Sequence, residues 1–448
     1  MSPASRRSPL AVICLTVFLD IAGFSIIFPL LPDMLEHYFE REGSEGLLGF
    51  LLGSESGGGL DVQDFRTRVL FGGILGSLYS ALQFLSAPLW GSLSDRTGRR
   101  PVLLATIAGL ALSYVLWFFS GTFLLLVLAR CLGGAMSGNI AVASAVIVDV
   151  TDEKERAKGM GFLGAALGLG FFIGPALGSL LCLVDLGKIT GGALGINPFS
   201  SAAAGSFLLA AINWIWVRKR FQETLSAEHR DRARHAGRPI HPLKLVRRYE
   251  YAGVNRTNLV YFLFFLAFAG MEFTLTFLAK ERFDYTRTSM AWIFVYVGFI
   301  IILVQGGVIR RVVPRYGERR VALTGLILLP PGFLLTGWAE GGTLAHILFY
   351  SGLTFLALGS ALTTPSLTSL VSLYSPADRR GEIQGVFRSL GALARAIGPI
   401  TACALYFRFG AAALYTAGAI MLLLPALVAR ALPPPPEPAP AADAAAVD

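Results

Sequence analysis

The sequence predicts an all-α membrane protein whose twelve transmembrane helices form two pseudo-symmetric six-helix bundles, and three observations carry that expectation. The 448 residues are 54% hydrophobic and only 15% charged, which excludes an ordinary soluble enzyme. Twelve apolar stretches are each long enough to cross a hydrocarbon core about 30 Å thick. The first six stretches also resemble the second six.

Taken in order with a window of about 19 residues, the first-half stretches are roughly 10–32, 69–90, 102–120, 122–148, 159–183 and 200–217. Arg6 and Arg7 precede the first, but no small-residue cleavage site follows, so it reads as a retained helix and not a removed signal. Residues 218–256 break the apolar pattern with eleven basic residues. They read as a cytoplasmic linker, either solvated or resting in part on anionic lipid headgroups. The second half continues through roughly 257–279, 290–309, 321–338, 344–374, 383–407 and 411–430. The last residues, 431–448, are rich in proline and alanine and read as a disordered cytoplasmic tail. The expected domains are therefore 1–217, 218–256, 257–430 and 431–448.

Charge fixes the expected orientation. With both termini inside, 27 of the 38 lysines and arginines fall in cytoplasmic segments, 8 outside and 3 within helices. The positive-inside rule then places both ends in the cytoplasm, as in a multi-pass protein of an inner or plasma membrane. The same bias accounts for most of the formal charge of +9, which reads as topology and not as nucleic-acid binding. Cys14, Cys131, Cys182 and Cys403 lie inside spans without paired spacing, and free thiols are expected. His37, His229, His235, His241 and His346 are scattered in loops or at a helix end. With no Cys/His/acid cluster inside the membrane, no metal, no cofactor and no enzyme activity is expected, and the chain reads as a monomer.

The halves align by eye. GFLGAALGLGFFIGP at 161–175 and GVFRSLGALARAIGP at 385–399 share Gly161 with Gly385, Leu169 with Leu393, and the closing Ile-Gly-Pro. FLDIAGFS at 18–25 and FLAFAGME at 265–272 share Phe, Leu, Ala and Gly. A duplicated set of six helices is the signature of a transporter that rocks two bundles about a central site. The alignment sets Arg388 against Gly164, Arg395 against Phe171, Asp20 against Ala267 and Glu272 against Ser25. The repeat does not require these charges, so they are additions to the scaffold.

After the second span comes GSLSDRTGRRPVL, 91–103. Gly91 permits close helix approach, Asp95 can accept from a neighbouring helix N-terminus, and Arg99 can bridge to Asp149 at the end of span four. Arg96, Gly98 and Arg100 complete this gating cluster. The Gly, Asp-Arg and Gly-Arg-Arg pattern resembles the signature of the major facilitator superfamily, and the resemblance covers about residues 8–430. LARCLGGAMSG (128–138), with Arg130, looks like the family's fourth-span motif. GLGFFIGPALGS (168–179) resembles the fifth-span motif of drug/proton antiporters, with Gly170, Gly174, Pro175 and Gly178 on a small-xxx-small packing ladder. LDIAGFSIIFPLLP (19–32) resembles the same branch through Asp20, Pro29 and Pro32.

Within that branch the chain most resembles the tetracycline-transporter-like proteins, which implies efflux of organic anions. The segments that carry this are VLFGGILGSLYSALQFLSAPL (69–89), MEFTLTFLAKERFDYT (271–286), QGGVIRR (305–311) and RSLGALARAIGP (388–399). The third and ninth spans lack the acids of bacterial tetracycline antiporters, which sets tetracycline itself apart from the expected substrate. GGVIRRVVPRYGERR (306–320), the second-half counterpart of the signature, lacks its aspartate and is three residues longer between its glycines. An asymmetric latch is expected.

Asp20, Arg130, Glu272, Arg388 and Arg395 lie at spanning depth, where an arginine is unfavourable by at least about 2.5 to 3.5 kcal/mol on insertion scales. At about 1.5 Å per residue, Glu272 lies roughly 20 Å and Arg395 roughly 18 Å from the cytoplasmic ends of their helices. Arg388 is two turns shallower on the same face as Arg395. Glu272 reads either as a permanent partner of Arg395 or as a proton site. Asp20 either orients the first helix or takes the proton. Arg130 either ties backbone carbonyls or takes part in proton movement.

Arg395 reads as the anion receptor and Arg388 as a second contact, because a planar guanidinium binds a carboxylate through two parallel bonds and keeps its charge. Tyr79, Met271 and Phe273 read as apolar walls of a binding pocket or as plain packing contacts. The expected function is proton-coupled antiport of amphipathic organic anions or drugs by alternating access. The proton is the coupling ion, and the partners are the substrate anion and membrane lipids. A lipid or lysolipid translocator of the same fold, or a non-transporting receptor or scaffold, is the alternative.

Overall fold

In the computed structural model, residues 3–42, 64–151, 153–228, 230–231, 249–251, 253–376 and 379–434 are described. Six spans make the first half: α1 (Pro9–Glu42), α2 (Phe65–Thr97), α3 (Arg99–Phe118), α4 (Phe123–Val150), α5 (Gly159–Thr190) and α6 (Ser200–Arg220). Six make the second: α7 (Val254–Phe283), α8 (Arg287–Tyr316), α9 (Glu318–Gly337), α10 (Gly342–Tyr374), α11 (Ile383–Phe409) and α12 (Ala411–Arg430). All twelve are long and apolar enough to cross a membrane, and each coincides with one of the expected stretches to within two residues or contains it. Residues 232–248 of the linker and most of the tail, 435–448, lie outside the described residues.

Local chemistry sets where the helices start and break. Asp64 accepts from the Arg66 N–H at 3.0 Å and caps α2, and Thr286 accepts from the Ser289 N–H at 3.4 Å and caps α8. Pro29 belongs to a 3₁₀ turn, Phe28–Leu30, that interrupts α1. The sequence predicts an unbroken span over 122–148, but α4 divides between Met136 and Asn139. The Trp90 ring of α2 lies against Gly138 there, and its indole N–H donates to the Ala135 carbonyl at 2.7 Å. A side chain inserted at a glycine is a recognised cause of such a break.

The two bundles meet along two seams, α2 with α11 and α5 with α8. Within each bundle the repeat reappears as packing. A Cβ on Gly170 of α5 would lie 2.9 Å from the Phe18 carbonyl of α1, and one on Gly174 or Gly178 would overlap the carbonyls of Ala22 or Ile26. On Gly398 of α11 it would lie 2.8 Å from the Leu266 carbonyl of α7. Pro175 sits inside α5 directly beside this close contact. The obstacle is backbone, so no rotamer relieves it. Gly174→Val is expected to leave α1 and α5 unable to close and to abolish the monodisperse peak in size-exclusion chromatography. Gly164→Ala, at a position whose Cβ would meet nothing within 4 Å, is expected to elute like the parent.

Close packing across the seams is seen at the end away from the chain termini. In the half of the molecule away from the chain termini, a Cβ on Gly73 of α2 would lie 3.0 Å from the Pro399 carbonyl of α11, and one on Gly298 of α8 would lie 3.0 Å from Phe172 of α5. Toward the termini, a Cβ on Gly91, Gly161, Gly164, Gly168, Gly306, Gly307 or Gly385 would meet nothing within 4 Å among the described residues. A cleft therefore opens toward the face that bears the termini. Gly91 was expected to bring two helices close; in this conformation a Cβ there would meet nothing within 4 Å among the described residues.

Candidate functional site

At the closed end of the cleft, Glu272 of α7 and Arg395 of α11 share a chamber of about 30 Å³ with Phe24, Phe28, Phe171 and Phe273, and Ser80 adds a hydroxyl. The repeat explains this division of labour. Phe171, the counterpart of Arg395, lines the same chamber from the opposite bundle. Ser25, the counterpart of Glu272, turns away, and its hydroxyl lies 2.8 Å from the Ile21 carbonyl and 3.1 Å from that of Gly170. The second half thus contributes charge where the first contributes aromatic rings. Among the described residues, Glu272 and Arg395 form no ion pair within 4.0 Å, and both line the chamber in this conformation. The Arg395 guanidinium lies 5.5 Å from the Phe265 ring centre.

Arg388 is further down the cleft and reaches across it. Its Nη1 donates to Ser144 Oγ of α4 at 3.2 Å, and its Nη2 lies 3.4 Å from Met160 Sδ of α5. Of the expected apolar walls, Phe273 lines the chamber and Met271 lines a neighbouring cavity. Tyr79 lines neither; it stacks on Phe24 with ring centres 4.4 Å apart. Arg130 lies over both rings, 4.3 Å from Tyr79 and 5.3 Å from Phe24. Among the described residues it makes no hydrogen bond, so of the two readings the tie to backbone carbonyls is not seen, and the guanidinium instead stacks on aromatic rings. Phe24 separates this arginine from the chamber.

Asp20 is held inside the first bundle, where its carboxylate accepts from the Asn213 amide at 2.8 Å and from the Asn139 amide. Asn139 in turn accepts from the Thr106 hydroxyl. Asp20 therefore links α1, α3, α4 and α6 and does not line the chamber.

The residues expected to gate assemble at the terminus-bearing end of the first bundle. Arg99 donates to Asp149 at 2.9 Å, to Asp95 at 2.6 Å and to Ser94 at 2.7 Å. Asp95 was expected to accept from a helix N-terminus; its partner here is Arg99, and Glu223 takes the other role. The Glu223 carboxylate accepts from the backbone N–H groups of Arg99 at 2.9 Å and Arg100 at 3.0 Å, and so caps α3. Gly98, with φ of +112°, makes the turn that lets Glu223 approach, since a Cβ there would press on its carboxylate. Arg100 donates to the Arg218 carbonyl at 2.7 Å, and Arg96 lies in the last turn of α2.

The second half repeats only part of this cluster. Arg319 donates to the Arg430 carbonyl at 2.5 Å, as Arg100 does to Arg218. Where Arg99 meets Asp149, however, Glu318 accepts from the Ser369 hydroxyl at 3.2 Å. The latch is asymmetric, as the missing aspartate implied. Because the latch is far from the chamber, Arg99→Ala is expected to slow turnover about tenfold or more while leaving ligand affinity unchanged, given charge-assisted bonds worth about 1.5–3 kcal/mol each. Parallel transport and equilibrium-binding assays check it, and lost affinity with normal turnover would contradict it.

The sequence model of the Major Facilitator Superfamily matches residues 13–315 and 306–447. The chain belongs to the major facilitator superfamily. Major facilitator superfamily domain-containing protein 10 of Homo sapiens is 34% identical over 448 residues, covering 94% of this chain and 92% of that protein. The class C tetracycline resistance protein of Escherichia coli is 28% identical over 400 residues, 89% of this chain and 90% of that protein. Among solved structures, the human organic anion transporter MFSD10 (TETRAN) aligns with a TM-score of 0.73 at 32% identity, covering 96% of this chain and 100% of that one. A bacterial homolog of the human lysosomal transporter Spinster, inward-facing and unoccupied, shares the fold with a TM-score of 0.64 at 14% identity, covering 96% and 98%.

This superfamily member is thus a multi-pass membrane transporter, and its far end carries a cluster that the sequence did not single out. Asp33 of α1 pairs with Lys280 of α7 at 3.4 Å and with Arg287 of α8 at 3.2 Å. Arg287 also donates to the Cys182 carbonyl of α5 at 3.3 Å. These contacts join the two bundles at the end opposite the cleft mouth. The only local signal for Asp33 was an acid directly after Pro32, which says nothing of its partners.

Proposed function

We propose that the chain is a proton-coupled antiporter that exports amphipathic organic anions by alternating access, with the cleft opening to the cytoplasm. The observation that carries this reading is the chamber between the bundles, which Glu272 and Arg395 both line at the closed end of the cleft. Arg395 receives the anion, Arg388 guides it along the cleft, and Glu272 carries the proton. Two arginines, an ionised Glu272 and one bound anion sum to zero charge, which favours carrying the anion without a proton. Once the anion has left, Glu272 takes a proton for the return. The excess of basic residues on the terminus-bearing face supports a cytoplasmic cleft in an inner or plasma membrane. The organic anion named for the related MFSD10 transporter agrees with this substrate class.

The test is displacement of a labelled aryl sulfonate from the purified protein. Other amphipathic anions are expected to displace it and organic cations are not. Displacement by lysolipid with no competition from any soluble anion would instead support the lipid-translocator reading.

A further inference from the structure

A second cavity lies on the other side of Glu272. It also measures about 30 Å³, and its walls come from Met271 and Leu275 of α7, Phe294 and Val297 of α8, and Leu356 and Ala357 of α10. Phe172 of α5 closes it from the other bundle, at the point where that ring packs on Gly298 across the seam. Apart from Glu272 and Ser360, every residue lining it is apolar. Glu272 is shared between the linings of the two cavities, so a carboxylate-bearing side chain forms part of the partition between them.

This arrangement sorts the two ends of an amphipathic anion. The head is attracted to Arg395, and an ionised Glu272 repels it from the second cavity. The apolar body gains by entering that cavity, where no charge other than the partition has to be desolvated. Each cavity holds only a water-sized group in this conformation, so a larger body enters as side chains turn. Met271, the repeat counterpart of Phe24, is the flexible wall suited to this. A body placed there also touches Phe172 at the α5/α8 seam, the contact that has to loosen when the bundles rock.

We infer that the second cavity is the subsite for the apolar body of the transported anion, and that Glu272 is the specificity-determining divider that keeps the head at Arg395. The inference rests on the anion-transport reading above.

Its test uses butane-, hexane- and octanesulfonate as competitors of a labelled aryl sulfonate on the full-length protein. In the parent, each added methylene is expected to tighten binding up to about fourfold. Ala357→Phe fills the cavity and is expected to flatten this series, weakening octanesulfonate much more than butanesulfonate. Val297→Ala enlarges the cavity and is expected to steepen the series, which decides the matter if Ala357→Phe does not yield folded protein. A parent slope retained in Val297→Ala, or in folded Ala357→Phe, overturns the subsite assignment alone. Failure of the parent to bind any alkyl or aryl sulfonate overturns the anion reading, and the inference with it.

Discussion

Glu272→Gln is expected to reduce proton-driven transport to the level of empty vesicles while leaving equilibrium anion binding intact or tighter. The amide keeps the shape of the carboxyl but stays neutral, so it imitates the protonated acid and has no proton to exchange. It also removes the negative charge that shares the chamber with Arg395, leaving the guanidinium without a competitor for the substrate. Uptake under a pH gradient and counterflow without one, measured in the same proteoliposomes, separate the two effects. Gradient-driven uptake should vanish and counterflow should persist. Undiminished gradient-driven uptake would reduce Glu272 to a packing residue.

Arg395→Ala is expected to weaken anion binding roughly 10- to 150-fold, the range that corresponds to charge-assisted hydrogen bonds worth about 1.5 to 3 kcal/mol. Arg395→Lys should restore only part of the loss. A lysine keeps the charge but not the planar fork that meets a carboxylate or sulfonate with two parallel bonds. No ion pair within 4.0 Å ties Arg395 to Glu272 among the described residues, so removing it should cost binding far more than fold. Equilibrium binding of a labelled sulfonate to both variants, beside their size-exclusion profiles, checks this. A folded Arg395→Ala that binds like the parent would make the arginine a structural tie.

What the sequence revealed depended on how local the signal was. The twelve spans were legible because each is a continuous apolar run, and the Gly170, Gly174, Gly178 ladder because its spacing repeats on one helix face. Arg99 with Asp149 was legible because the motif around Arg99 is dense and Asp149 sits at a predicted helix end. The depth of Glu272 and Arg395 was readable from residue counting, and the structure brings both to one chamber.

Features that depend on distant partners were not legible. Glu223 caps a helix 124 residues earlier in the chain, and Asp33 meets Arg287 across 254 residues. The division of α4 depends on Trp90 arriving from α2. Tyr79 was read as a pocket wall or a plain packing contact, and its ring packs on Phe24 and Arg130. Depth alone does not give the direction of a side chain.

The central claim is that one chamber exchanges an organic anion for a proton. It is tested most directly by recording luminal pH in proteoliposomes loaded with an aryl sulfonate, a substrate that stays ionised and does not carry protons across the bilayer by itself. When the outside is made acid, sulfonate efflux is expected to accelerate and the lumen to acidify in step with it, and Glu272→Gln should show neither change. Proton movement that follows an organic cation, with none linked to the sulfonate, would contradict the account.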